Sequence, residues 1–530
     1  MPDEKKGDRE ITRAASVVGI GTLFSRVLGL FRDVVLARML PASTSMDAFV
    51  VAFRIPNLLR RLFGEGALNA AFVPVFSEYL ANRPKKDAFE LARIVLTTLF
   101  LILAVISAAV LLFAPWLVRI QVAGWSGDAL STGADKIEVT TLLLRLMFPY
   151  VILICLTALA AAMLNTLKHF ASGAFYPVLL NVSLIASALY FSRYFAEPVV
   201  ALAVGVLVGG VLQLLLQVPP LVKRGFKYRP MLSFKHPGLR RIVLMMLPSM
   251  LAFGVVELNT YVDMLLASFL PAGSNTYLFF ANRLVQLPLA LFGIAVATPI
   301  LPKLSKLFAQ GRTSDFRNTY ALGLRLIVFS TLPSTAGLII LRKPIINLLY
   351  ERGAFTRETT NAVAFALLFY AIGIFAFAAT KLAATAFYAR KDMKTPVIVA
   401  AVALVSNVVL NLILMQFLAH GGLALASSIS SFLNFGLLAF LAKRRAVVRM
   451  KTSDADAMLR GCFATAVMTL GCMVLYSLIG YNSAAPLSHR LLQLIGVIIG
   501  SVVIFVGACK LVRCKELSLF LSSFTRRQKP

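Results

Sequence analysis

Charged side chains recur between Ser25 and Tyr79, in segments that are otherwise apolar enough to lie in a membrane. The two runs read SRVLGLFRD and MDAFVVAFRIPNLLRRLFGEGALNAAFVPVFSEY. Their intramembrane charges are Arg26, Arg32, Asp33, Asp47, Arg54, Arg60, Arg61 and Glu65. A charge near the bilayer centre costs at least about 2.5–3.5 kcal/mol, so such residues usually face a cavity or each other. The pattern therefore predicts a water-filled, cationic chamber within the membrane.

An anionic ligand would explain why several arginines share one chamber. Arg283 lies in a later apolar segment, FFANRLVQLP, and converging arginines repel one another unless an anion lies between them. The arginine fork donates two parallel hydrogen bonds to phosphate oxygens, and a pyrophosphate offers several such sites. We therefore predict a site for an anionic lipid headgroup.

Structural alternatives for these arginines stay open at this stage. Arg32 could form an ion pair with Asp33 or Asp47, while Arg26 could extend toward the cytoplasmic interface. The adjacent pair Arg60-Arg61 could equally lie at a membrane interface, where two glycines break the helix.

A second set of polar residues lies in the seventh, eleventh and twelfth predicted spans. These residues are Glu257, Asn259, Asp263, Asn407, Asn411 and Ser427. Hard oxygen ligands of this kind suit a small cation such as sodium. The alternative is a set of polar contacts between packed helices, each worth about 0.6 kcal/mol.

The composition excludes a soluble protein and argues against catalysis. Of 530 residues, 59% are hydrophobic and 14% are charged, against roughly 25% charged in soluble domains. The net charge of +30 resides largely in short loops, which positive-inside topology explains better than nucleic-acid binding. The five cysteines have no metal or disulfide spacing. No P-loop, HExxH or GxSxG motif is present, so we expect neither an enzyme nor a bound cofactor.

Apolar runs of about 20 residues predict an all-α polytopic membrane protein with fourteen transmembrane helices. The predicted spans are 14–40, 46–80, 89–118, 139–167, 170–194, 198–222, 242–270, 276–308, 316–349, 359–388, 395–418, 422–442, 455–479 and 486–512. The charged N-terminus is too long for a signal peptide, so the first span is expected to be retained. Basic loops alternate with nearly uncharged ones and place both termini in the cytoplasm, although the loop after the ninth span carries outer cations.

An internal repeat divides the chain. LARMLPASTSMDAFVVAFR…LFGEGALNAAFVPVFSEYL aligns with LASFLPAGSNTYLFFANR…LFGIAVATPILPKLSKLF, so that Phe63-Gly64 matches Phe292-Gly293. The order of spans is the same in both halves, which predicts two six-helix lobes related by a parallel repeat, plus two C-terminal helices. The predicted domains are an N-lobe (1–222), a cytoplasmic basic linker (223–241), a C-lobe (242–449), and the last two spans with a cytoplasmic tail (450–530).

These motifs resemble the MurJ (MviN) family of lipid II flippases, within the multidrug/oligosaccharidyl-lipid/polysaccharide exporter superfamily. The resemblance implies transport of the undecaprenyl-pyrophosphate-linked peptidoglycan precursor across the bacterial inner membrane. By motif, the family's substrate-binding positions fall on Arg26, Arg32, Arg60, Arg283, Ser25, Asp47 and Glu65. Its sodium-site positions look like Asp263, Asn407, Asn411 and Ser427, with sodium as a coupling ion.

The resemblance also sets expectations about partners and alternatives. We expect a monomer that contacts membrane lipids and the cell-wall synthesis machinery, and no nucleic acid. Within transport, the alternative is a flippase for another polyprenyl-linked glycan, or a drug/cation antiporter of the same superfamily. An antiporter for cationic drugs should carry cavity carboxylates, whereas this chain carries arginines. A membrane-embedded transferase or a scaffold for cell-wall enzymes is a more distant alternative.

Overall fold

A computed structural model describes residues 2–40, 45–125, 135–445, 447–448 and 451–519. Within these ranges some residues, Glu65 among them, are described by backbone alone. The first half contains α1 Pro2–Met39, α2 Ser45–Leu59, α3 Ala67–Asn82, α4 Lys85–Gln121, α5 Lys136–Met147, α6 Tyr150–Thr166, α7 Ala171–Ala186 and α8 Pro198–Lys223. The second contains α9 Pro237–Ala267, α10 Ser274–Pro288, α11 Ala295–Ala309, α12 Thr313–Leu349, α13 Arg357–Ile372, α14 Ile374–Tyr388, α15 Lys394–Arg444, α16 Thr452–Ile479 and α17 Leu487–Leu511.

Long apolar helices identify a polytopic membrane protein. Among the described residues, ten helical stretches are long and apolar enough to cross a bilayer. One of them, α15, spans 51 residues but contains non-helical dihedrals at Ala419 (φ 46°, ψ −129°), so two helices meet there. The all-α membrane fold is thus confirmed, while the full count of fourteen spans stays a prediction.

The two halves show the same succession of elements. A π-helical segment, Arg60–Gly66, joins α2 to α3, and another, Leu289–Ile294, joins α10 to α11. Each segment contains one of the matched Phe-Gly pairs of the sequence repeat. A Cβ atom on Gly293 would lie 2.9 Å from the Cβ of Ala378, so the glycine permits close packing of the second segment. α4 and α12, the next long helices of the two halves, both have 37 residues.

Two compact units can be described separately. The first comprises residues 1–275 with 352–355, and the second comprises 276–351 with 356–530. α9 belongs to the first unit, where it packs against α3 and α4. The domain boundaries predicted at 222 and 241 follow the sequence repeat rather than these contacts, and they stay a prediction.

Within the second unit, α16 and α17 are fixed to α12 by polar contacts. Near one end, Arg325 of α12 lies 3.5 Å from a carboxylate oxygen of Asp454 and 3.4 Å from one of Glu516. Near the other, the side-chain oxygen of Asn347 accepts hydrogen bonds from Tyr481 (2.6 Å) and Arg490 (3.0 Å). The last two long helices are therefore held on the second unit although they lie outside the sequence repeat.

Candidate functional site

Arg32 of α1 forms a buried ion pair with the residue next to it. Its Nε and Nη2 donate to Oδ1 of Asp33 at 3.0 and 2.6 Å, and its Nη1 donates to Oδ1 of Asn181 at 3.0 Å. The Asn181 amide in turn donates to the backbone carbonyl of Ser25 at 3.2 Å, which ties α1 to α7. One of the structural alternatives for Arg32 is thus present, while the second hydrogen on each Nη remains for a further acceptor.

Arg26 lines an open cavity of about 310 Å³ between α1 and α7. The lining residues are Thr22, Ser25, Arg26, Asn165, Phe170, Gly173, Ala174 and Pro177. The hydroxyl, amide and guanidinium groups of this lining can all donate hydrogen bonds, and no carboxylate belongs to it. Among the described residues of this lining, Arg26 alone carries a charge.

Asp47 of α2 is enclosed in a structural ion pair. Its Oδ2 accepts a hydrogen bond from Nζ of Lys136 at 3.3 Å and another from the backbone N–H of Gly273 at 2.8 Å. The Lys136 side chain is completely buried, and its ammonium lies 3.7 Å from the ring centroid of Trp125. Sequence reasoning missed Lys136, although a lysine that opens an apolar run after an outer loop was an available signal. The carboxylate of Asp47, a predicted substrate residue, thus already accepts hydrogen bonds from groups of the protein itself.

A mixed cluster joins α2, the first π-helical segment and α9. Nη1 of Arg61 donates to Oε1 of Glu257 at 2.8 Å. Arg54 lies within electrostatic range of Arg61, Glu257, Tyr261 and Asp263. The Nε of Arg54 is enclosed, and no described residue accepts a hydrogen bond from it. A half-buried guanidinium with an unfilled donor is suited to an anion. Arg54 was recognised as an intramembrane charge, but its place in a candidate binding set needed the structure.

The remaining predicted substrate residues are placed as follows. Arg60 lies in the first π-helical segment and donates to Oδ1 of Asn57 at 3.0 Å from Nε and 2.9 Å from Nη2. Arg283 lies on α10 in the second unit and is half-buried. The side chain of Glu65 falls outside the described residues.

Three of the four predicted sodium ligands lie together on α15. Asn407 and Asn411 are fully buried, and the Asn411 amide donates to Oδ1 of Asn407 at 2.9 Å. The Asn407 amide approaches Oγ of Ser430 at 3.4 Å, and that hydroxyl donates to the carbonyl of Ser427 at 3.1 Å. These contacts are those of packed helices, the alternative to a metal site. Asp263 belongs to the first unit. The side-chain oxygens of the four predicted ligands are of the kind that sodium prefers. The sodium site stays a prediction.

That prediction has a direct test in thermal unfolding. A bound cation raises stability in proportion to the logarithm of its concentration. We expect sodium chloride to raise the Tm above that in potassium chloride of equal ionic strength, and Asn407→Ala to remove the difference. The same Tm in both salts for the unmodified protein would contradict a sodium site.

Most of the chain is similar to proteins described as lipid II flippases. The family model described as "Lipid II flippase MurJ" matches residues 36–497. A probable lipid II flippase MurJ from Vibrio cholerae is 41% identical over 432 residues, which cover 81% of this chain and 82% of that protein. A solved structure of lipid II flippase MurJ in an inward closed conformation has a TM-score of 0.77 and 28% identity, covering 96% of this chain and 99% of the other.

A drug-transporter structure shares the fold alone. An inward-facing multidrug resistance MATE family transporter of the MOP superfamily has a TM-score of 0.69 at 15% identity, covering 82% of this chain and 98% of the other. This likeness shows that the chain has the same fold as that transporter. The large difference in sequence identity separates the present chain from the drug exporters that share its architecture.

Proposed function

The chain belongs to the MurJ family of lipid II flippases, and from that premise we propose that it moves lipid II from the cytoplasmic to the periplasmic leaflet by alternating access. Lipid II carries its disaccharide-peptide on undecaprenyl pyrophosphate, so the chain serves cell-wall biosynthesis as a transporter and not as an enzyme. Family membership favours this function over the drug/cation antiporter and over the transferase.

The observation that carries the binding step is the lining around Arg26, which contains hydrogen-bond donors and a cation but no carboxylate. A pyrophosphate presents several oxygens to donors and offers no donor of its own when fully ionised. Arg26, Thr22 and Asn165 supply guanidinium, hydroxyl and amide donors around an open volume. The enclosed guanidinium of Arg54 adds a second donor group in the same unit. Arg32 keeps α1 on α7 through Asn181 and has donors left for an anion.

The transport step follows from the repeat. We infer fourteen spans in two six-helix lobes, with both termini in the cytoplasm and the last two helices beside the polyprenyl tail. Lobes related by a parallel repeat can rock about the substrate and expose it on alternate sides. An empty cationic site is driven inward by the membrane potential, since each charge that crosses 100 mV gains about 2.3 kcal/mol. Arg283, from the second unit, is proposed as a further substrate ligand on the resemblance alone.

Complementation of a strain depleted of its lipid II flippase tests this function. We expect the unmodified chain to restore growth and Arg26→Ala and Arg283→Ala to fail, because each loses a charge-assisted hydrogen bond to the pyrophosphate. Arg193→Ala is the matched control, since Arg193 is exposed and contacts only its neighbour Tyr194 among the contacts described.

The outcomes separate the function from the site. Rescue by every variant at equal membrane abundance would support lipid II flipping but would show that these arginines are not needed for it. Failure of the unmodified chain despite normal membrane abundance would favour a different polyprenyl-linked glycan.

A further inference from the structure

The basic linker, residues 223–241, is hydrogen-bonded to α4 at several positions between Lys85 and Thr97. Lys85 donates to the carbonyl of Arg224 at 2.9 Å, and Arg93, two turns further along, donates to the carbonyl of Lys227 at 2.9 Å. Thr97, one turn beyond, lies 3.2 Å from the Tyr228 hydroxyl and accepts a hydrogen bond from the Met231 N–H at 3.2 Å. The aromatic rings of Phe89 and Phe226 meet edge to face between these contacts, with centroids 5.4 Å apart.

α4 also shows how deep these contacts lie. Its 37 residues span about 55 Å, whereas the hydrocarbon core of a bilayer is about 30 Å thick. Its charges at the cytoplasmic end stop at Arg93, and residues 94–118 contain none. The hydrocarbon region therefore begins close to Ile94. Because Thr97 lies one turn deeper than Arg93, the middle of the linker reaches the level of the inner leaflet.

The exposed side chains of the linker combine apolar and basic groups. Tyr228, Leu232 and Phe234 are 52%, 49% and 68% exposed. The cations Lys227, Arg229 and Lys235 alternate with them and are also exposed. Residues 223–256 contain no aspartate or glutamate. By contrast, Phe226 is buried against α4. Tyr228 is anchored to Thr97 by its hydroxyl while about half of its surface stays exposed.

We propose that the linker is a membrane anchor for the cytoplasmic leaflet. Tyr228, Leu232 and Phe234 insert among the headgroups and upper acyl chains, while Lys227, Arg229 and Lys235 bind anionic phospholipid headgroups. Interfacial segments combine bulky apolar residues with cations in this way, and the anionic cytoplasmic leaflet attracts basic segments within a Debye length. The depth given by α4 favours a lipid surface over an acidic soluble protein, which would meet the linker farther from the bilayer.

The anchor can be detected by tryptophan quenching in nanodiscs. The variant Phe234→Trp adds one reporter to the two natural tryptophans, and the unmodified chain supplies the baseline. In discs of phosphatidylglycerol with brominated acyl chains, we expect the added emission to be blue-shifted and quenched by about twofold or more. Emission at the wavelength of a water-exposed indole, unquenched by brominated lipid, would overturn the proposal.

A variant that lacks three cations of the linker tests the contact with lipid headgroups. Lys227→Gln, Arg229→Gln and Lys235→Gln together, in the Phe234→Trp background, should lower quenching in phosphatidylglycerol to the level seen in phosphatidylcholine. The hydrogen bond from Arg93 uses the Lys227 backbone and survives this change. The matched control removes three exposed lysines of the second unit, Lys391, Lys394 and Lys443, and should leave quenching unchanged. Equal quenching in both lipids, unaffected by the triple variant, would overturn recognition of anionic headgroups.

Discussion

Asp47→Ala should destabilise the folded protein by about 3–5 kcal/mol, because it removes the carboxylate that lies 3.3 Å from the completely buried ammonium of Lys136. The Lys136 side chain is completely buried, so water cannot replace the lost carboxylate. The Trp125 ring face stabilises a cation only in part. We expect a sharply lower Tm of the detergent-solubilised protein and less folded protein in the membrane.

Two comparison variants separate this effect from a role in substrate binding. Asp47→Leu combined with Lys136→Met should recover much of the lost stability, since replacing both members of a buried pair with apolar residues is often neutral. Glu78→Ala is the matched surface control: Glu78 and its partner Arg241 are both about half-exposed, and such pairs contribute about 0–1 kcal/mol. If the Asp47→Ala protein had an unchanged Tm but no transport, Asp47 would instead act in substrate binding.

The helical segments were predictable because their cause is local. Runs of about 20 apolar residues demand helices in a bilayer, where every backbone polar group must be satisfied within the segment. The Phe-Gly pairs that align in the repeat both lie in π-helical segments, which the sequence alignment did not predict. The broken helix at Ala419 fell between the predicted eleventh and twelfth spans.

The partners of intramembrane charges were not predictable, because they depend on distant parts of the chain. Asp47 has its cation 89 positions away, at the first residue of α5. Arg32, by contrast, selects its neighbour Asp33, an alternative that sequence reasoning had left open. The unfilled donor of Arg54 is a property of its surroundings in α9 and has no signature in the sequence.

Arg54→Gln should abolish rescue of a flippase-depleted strain while leaving the Tm unchanged or slightly raised. Arg54 is half-buried and its enclosed Nε has no acceptor among the described side chains and backbone, so its charge is costly in the empty protein. A pyrophosphate oxygen would supply the acceptor. Hydrogen bonds to charged groups contribute about 1.5–3 kcal/mol, so the affinity for lipid II should fall by about 10–100-fold.

Conservative and neighbouring variants make the Arg54 prediction specific. Arg54→Lys keeps the charge but loses the bidentate fork, and it should bind lipid II with intermediate affinity. Arg61→Gln should lower the Tm. The carboxylate of Glu257 is mostly buried, and this substitution removes the positive charge that donates a hydrogen bond to it. A structural role for Arg54 would give the opposite pattern, with a lower Tm for Arg54→Gln and unchanged lipid II affinity in the protein that remains folded. A costly unfilled donor is therefore better evidence for a ligand than the ion-paired Arg32, whose removal disturbs folding and transport together.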